Sequence, residues 1–200
     1  YINDLFITTY CKFRNAAKEI IVKYFYNSYN IANSVVSSIR RCYNIIVLGR
    51  GKGQLMQKNY EELDFTDDFM FCKVLTNNPE LCRELLELVI GKKVGKFTRL
   101  DKQKPIEITA DGKGIRFDVY SEDDKNVVYD CEMQTSGNDN LPKRTRYYQG
   151  MIDLNLIERG ADYSELKKSY IIFICTFDVF GQGLHKYTFR NYCEEFPTLE

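Results

Sequence analysis

Two stretches, Gly114-Ile115-Arg116-Phe117-Asp118-Val119-Tyr120 and Val127-Val128-Tyr129-Asp130-Cys131-Glu132-Met133-Gln134, flank the polar run Glu122-Asp123-Asp124-Lys125-Asn126. Each alternates in polarity and is rich in β-branched and aromatic residues. With a turn signal between them they read as the two strands of a β-hairpin. A turn centred near Lys125 sets Asp118 opposite Glu132, Arg116 opposite Gln134 and Tyr120 opposite Asp130, all six projecting from one face. The other face carries Phe117, Val119, Cys131 and Met133, which is core material. Two carboxylates directly across a ladder have Cβ atoms about 5 Å apart, which destabilises the pair unless a cation lies between them. Oxygen ligands at that spacing suit a hard divalent ion such as Mg²⁺ or Mn²⁺. The alternative is an ordinary solvent-exposed face of mixed charge on an antiparallel sheet.

Working outward, Asp67 and Asp68 can cap a helix through Phe69, Phe71, Val74 and Leu75. Asn77-Asn78-Pro79 breaks it. Pro79 then opens a second helix, with Leu81, Leu85, Leu86, Leu88, Val89 and Ile90 on its apolar face and Gly91 as its stop. Val94 to Leu100 and Pro105 to Ile108 read as short extended pieces. After the hairpin, Pro142 opens a helix through Tyr147, Tyr148, Met151, Ile152, Leu154 and Leu156 that ends before Gly160. Tyr170 to Phe177 is a continuous apolar run of strand length, expected to be covered on both faces. Leu184 to Arg190 is a further strand candidate. The order gives a mixed sheet with helices packed against it, an α/β or α+β class.

Composition limits the function classes. The 200 residues carry 28 Lys plus Arg and 28 Asp plus Glu, so a broadly cationic nucleic-acid coat is excluded and only local basic patches remain. There is one histidine, His185, so no multi-histidine metal site can be built; it reads as a surface or structural residue. Seven cysteines without a CxxC pair read as scattered thiols in a reducing compartment, with Cys131 and Cys175 in strand cores. No apolar run is long enough to span a membrane and no secretory signal is present, so a cytoplasmic, non-membrane protein is expected.

Residues 1–55 differ from the rest. They are rich in Ile, Asn, Tyr and Phe and hold few acids. The first methionine is Met56, shortly after Gly49-Arg50-Gly51-Lys52-Gly53, which purine-rich codons can encode as a ribosome-binding site would. This leader is expected to be read-through or disordered, with residues 56–200 forming the domain. A genuine helical extension around Ala16 to Tyr26 is the competing reading. A phosphate loop at Gly49 to Gly53 fails the required pattern.

A strand bearing Asp118, a turn, and a strand bearing Glu132-x-Gln134 resemble the PD-(D/E)XK phosphodiesterase motif, with Gln134 in place of the terminal Lys. The helix Leu141 to Asp153 and the segment Phe65-Thr66-Asp67-Asp68-Phe69-Met70-Phe71-Cys72-Lys73 resemble one branch of it, the Rpn-type recombination-promoting nuclease and putative transposase family. The resemblance covers residues 60 to 200. It implies a restriction-endonuclease-like core, αβββαβ, and Mg²⁺- or Mn²⁺-dependent cleavage of DNA. Carried over, Asp118 and Glu132 become metal ligands and Gln134 takes the lysine's place. Asp68 becomes a further acid, unless it serves only as a helix cap. Lys143, Arg144, Arg146, Tyr148 and Gln149 on the following helix, with Lys73, become the DNA contacts. Arg144 is the first choice to replace the missing positive charge, since a guanidinium fork suits phosphate. The domain is expected to be shorter at its C-terminus than the family usually is. A homodimer is compatible with this reading. The alternative function is a catalytically inactive nucleic-acid-binding remnant of a mobile-element protein.

Overall fold

The computed structural model describes residues 6–12, 65–107, 112–137, 140–191 and 193–196. The chain divides into two compact units, residues 1–14 with 65–200, and residues 15–64. The second unit lies outside the described residues, and with it the glycine-rich run, Met56 and the helical option at Ala16 to Tyr26.

The first unit begins with strand β1 (Phe6–Lys12). Helices α1 (Asp68–Asn77) and α2 (Pro79–Ile90) follow. Next come strands β2 (Phe97–Ile106), β3 (Ile115–Asp123) and β4 (Val128–Gln134). Helix α3 (Leu141–Leu156) leads to β5 (Ser169–Cys175) and β6 (Lys186–Arg190). The six strands form one mixed sheet in the order β2-β3-β4-β5-β1-β6. Strands β2, β3 and β4 are antiparallel neighbours. The β4–α3–β5 crossover makes β4 and β5 parallel, as a helical connection of that length allows. Strand β1, from the segment read as a leader, lies parallel to β5 and antiparallel to β6. A chain starting at Met56 would lack the strand those two share.

Local chemistry explains the boundaries. Asn78 separates α1 from α2, and Pro79 occupies the first turn of α2, where a missing N–H costs nothing. Gly91 ends α2 at φ 75°, a left-handed conformation that glycine adopts without a Cβ penalty, and its N–H closes the last turn on Glu87 O at 2.8 Å. The two extended pieces expected around Leu100 and Pro105 are one ten-residue strand. Polar Asp101-Lys102-Gln103-Lys104 hides its alternation. It runs at the sheet edge, the position where Pro105 is tolerated. All seven residues of β5 are buried, as an apolar run covered on both faces requires. Beside it, Phe117, Tyr120, Leu141, Tyr148, Met151, Ile152, Ile171 and Phe173 form one core cluster.

The hairpin turn is organised by one carboxylate. Asp123 is 1 % exposed and accepts hydrogen bonds from the backbone N–H of Gly95, Lys125 and Val127, each at 3.0 Å, and from Tyr129 Oη at 2.9 Å. The charge is thus fully met by donors, and the carboxylate ties β2's entry to the β3–β4 turn. Replacing Asp123 with Ala leaves four donors without their acceptor. Urea denaturation is expected to show a loss of about 2–3 kcal/mol.

Candidate active site

The β3–β4 ladder pairs Val119 with Cys131, Tyr120 with Asp130, Ser121 with Tyr129 and Glu122 with Val128. This is the register expected from the turn. Beyond Val119 and Cys131, side chains take over from backbone. The Asp118 N–H donates to Glu132 Oε1 at 2.9 Å, and the Met133 N–H donates to Asp118 Oδ2 at 3.1 Å. Each carboxylate is therefore fixed by the opposite strand, and the two strands part where the acids sit.

The six polar side chains do not form one shared face. Asp118, Asp130 and Glu132 are 8 %, 0 % and 0 % exposed, and Tyr120 is 1 % exposed. Phe117 and Tyr120, three residues apart, both join the core cluster, with ring centroids 5.7 Å from each other. Asp118 instead reaches α1. Strict alternation fails at this point of β3, and Gln103, the β2 residue between the partners of Phe117 and Val119, has φ 49°. Arg116 does not pair with Gln134; it is exposed and bonds Asp68 Oδ2 at 3.2 Å.

Asp68 is the first residue of α1 and Asp67 holds the cap position, so Asp68 is not the helix cap. The i,i+4 spacing puts Asp68 and Cys72 on one side of the helix. There a carboxylate oxygen of Asp68, Cys72 Sγ and a carboxylate oxygen of Asp118 lie within 4.8 Å of one another. Burial and the nearby Asp118, Asp68 and Glu132 charges push the Cys72 thiol up, so it stays protonated and points to Asp68 Oδ1 at 3.8 Å. The thiol gave no sequence signal as a site residue, because cysteines recur throughout this chain. Asp130 was also not assigned a role, although its period-two spacing from Glu132 places both on the same strand face.

Electrostatics mark this cluster as short of positive charge. Burial, then the Glu132 and Asp68 charges, push the Asp118 carboxyl up to about 8. Burial, with Glu132 and Asp118 close by, holds Asp130 well above the usual range. As a carboxylate Asp130 has no hydrogen-bond partner for either oxygen; as a neutral acid it donates to Glu132. Glu132 is also raised by burial, but Arg144 opposes the shift. The guanidinium of Arg144 forks between the two β4 side chains, bonding Glu132 Oε2 through Nη2 and Gln134 Oε1 through Nη1 at 3.0 Å. Its far side rests over the rings of Tyr148 and Phe173, 4.9 and 5.1 Å from their centroids. Gln134 in turn donates to Ser136 O at 2.8 Å.

The donor set tests well against a divalent ion. Two hard oxygen donors and a sulfur converge beside the buried Glu132, and the like charges that raise Asp118 are the ones a dication would relieve. Asp68, Asp118 and Glu132 are the residues that would hold it.

Of the expected DNA contacts, Lys143 in the first turn of α3 and Arg146 in the second are exposed, and Arg144 between them is half-buried. Lys73 is half-buried on α1. Tyr148 and Gln149 are corrected. Tyr148 is 7 % exposed and packs edge-on against Phe117 at 5.3 Å. Gln149 is 8 % exposed and spans Asp153 and Ser169. Both face inward because α3 turns that side to the sheet. His185 is exposed, and Cys131 and Cys175 are buried in the strands, as expected.

A mixed sheet entered by helices, with its acids on a central hairpin and a crossover helix beyond it, defines a restriction-endonuclease-like α/β domain of the nuclease class. The family model for the PD-(D/E)XK nuclease family transposases matches residues 64–193, which span α1 to β6. The chain belongs to that family and is nuclease- and transposase-like in function. No curated protein and no solved structure matches it. Among the described residues no helix is long and apolar enough to cross a membrane.

Proposed function

We propose that this domain hydrolyses DNA phosphodiester bonds as a Mg²⁺- or Mn²⁺-dependent endonuclease. The carrying observation is the convergence of Asp68 and Asp118 donor atoms beside the buried Glu132, with three neighbouring carboxyls all raised. A divalent ion held there supplies Lewis acidity toward a phosphoryl oxygen and a bound water of lowered pKa. The hydrogen bonds that Asp118 and Glu132 accept from the opposite strand's backbone support this reading, because they hold the two carboxylates beside each other. Gln134 carries no charge and does not titrate; its amide can orient the attacking water. Arg144 provides the cation that the family's usual lysine would bring, and its planar fork suits a phosphodiester. Lys143 and Arg146, at the N-terminus of a 16-residue helix, present charge to the DNA backbone where free N–H groups and the helix dipole also favour phosphate.

The test is incubation of supercoiled plasmid with the protein. Nicking is expected with Mg²⁺ or Mn²⁺ and is expected to stop when EDTA is added. No nicking with either ion, with DNA binding retained in a gel-shift assay, would favour the inactive remnant instead.

A further inference from the structure

We infer that Arg144 is the resident counter-cation of Glu132 and that it exchanges with the divalent ion, so that loading the ion releases the guanidinium toward bound DNA. This deepens the metal-dependent reading and rests on it. Glu132 is 1 % exposed at its side chain, and both of its oxygens are engaged, Oε1 by the Asp118 N–H and Oε2 by Arg144. A dication on the same carboxylate would stand within contact distance of a guanidinium in a poorly solvated site, where like charges repel most strongly. The two cations therefore compete for Glu132.

The arginine has somewhere to go. Its side chain is 30 % exposed, against 1 % for Glu132, so the guanidinium already meets solvent. Its other side-chain hydrogen bonds in the site are to Gln134, which is itself only half-buried, and to the Tyr148 hydroxyl at the rim of the ring beneath it. Tyr148 and Phe173 form an aromatic floor under the group that keeps it close to the site as it moves. The exposed Lys143 and Arg146 flank it along the first two turns of α3. Exchange thus moves one positive charge from holding an acid to the surface that would meet a phosphodiester. Without the ion, Arg144 keeps the buried carboxylate from standing alone; with it, the arginine becomes a positioning residue for the DNA.

The experiment is calorimetric titration of Mn²⁺ into the metal-free full chain and into its Arg144→Ala, Arg144→Lys and Glu132→Gln variants. Arg144→Ala is expected to bind Mn²⁺ at least about fivefold more tightly than the parent, the lower end of ordinary coupling between two bound groups. Its melting temperature without metal should fall, and Mn²⁺ should raise it by more than it raises the parent's. Glu132→Gln should lose the binding. Unchanged or weaker binding in Arg144→Ala, with Glu132→Gln still defective, overturns the exchange but leaves the metal site standing. Unchanged binding in Glu132→Gln overturns the ligand role of Glu132 itself. If Arg144→Ala does not fold, Arg144→Lys decides: a lysine cannot fork between Glu132 and Gln134, so it should bind Mn²⁺ more tightly than the parent, and equal or weaker binding refutes the exchange.

Discussion

Asp118→Asn is expected to lose divalent-dependent plasmid nicking by about 10²–10³-fold, the scale of removing a principal electrostatic element from a hydrolytic site. The same variant is expected to be more stable than the parent when no metal is present. Asp118 is held by burial and by Glu132 and Asp68 at a value of about 8, against 3.8 for an unperturbed carboxyl. Between those limits the folded state carries more protons than the unfolded chain, so stability falls as pH rises through the window. Asp130 and Glu132 are shifted in the same direction and add to the slope. Asn keeps an oxygen to accept the Met133 N–H and removes the charge. In EDTA at pH 8 the variant should gain about 1–2 kcal/mol, which in a chain of this size is a rise of about 2–8 °C in melting temperature. Its thermal midpoint should also vary less with pH than the parent's. Retained nicking in Asp118→Asn would remove this residue from the reaction, and a steeper pH dependence would contradict the charge crowding described here.

Phe173→Ala is expected to cost about 3–5 kcal/mol, the usual range for emptying a fully buried aromatic site. Phe173 is 0 % exposed, sits in the middle of β5 and pairs in register with Glu132. Its ring lies 6.3 Å from that of Tyr148 and under the Arg144 guanidinium. The substitution therefore removes packing and also the floor beneath Arg144, the cation paired with Glu132. A domain with about 5–15 kcal/mol of total stability loses a large share of it. Guanidinium denaturation followed by far-ultraviolet dichroism measures the loss. A change under about 1 kcal/mol would mean that the site collapses without a cavity, and that Arg144 is not supported from below.

Much of the architecture was legible because local signals agreed with one another. Pro79 and Gly91 bound α2, the apolar run at Tyr170 marks β5, and the hairpin register followed from the turn at Lys125. Asp118, Glu132, Gln134 and Arg144 came from motif resemblance, and the structure brings these four together. What the sequence hid is three-dimensional. The break in alternation at Phe117 turns Asp118 away from Tyr120 and toward α1, and no period-two pattern announces it. Cys72 became a neighbour of Asp118 only through the packing of α1 on β3. Tyr148 and Gln149 lie on the same helix turns as Arg146, and only the direction of α3's buried side separates core from surface. Strand β2 was split in the reading because edge strands need not alternate.

The crossed hydrogen bonds of Asp118 and Glu132 tie the reaction to the fidelity of folding. A slip of β3 by one residue against β4 would send these side chains to opposite faces. Two desolvated carboxylates would then lose the N–H groups that hold them. Misregistered hairpins are thus penalised by the same pair of acids that would hold the metal, and the chain cannot settle into a well-packed wrong pairing while keeping them satisfied. The acids that make the folded sheet less stable at high pH also make it choose a single register.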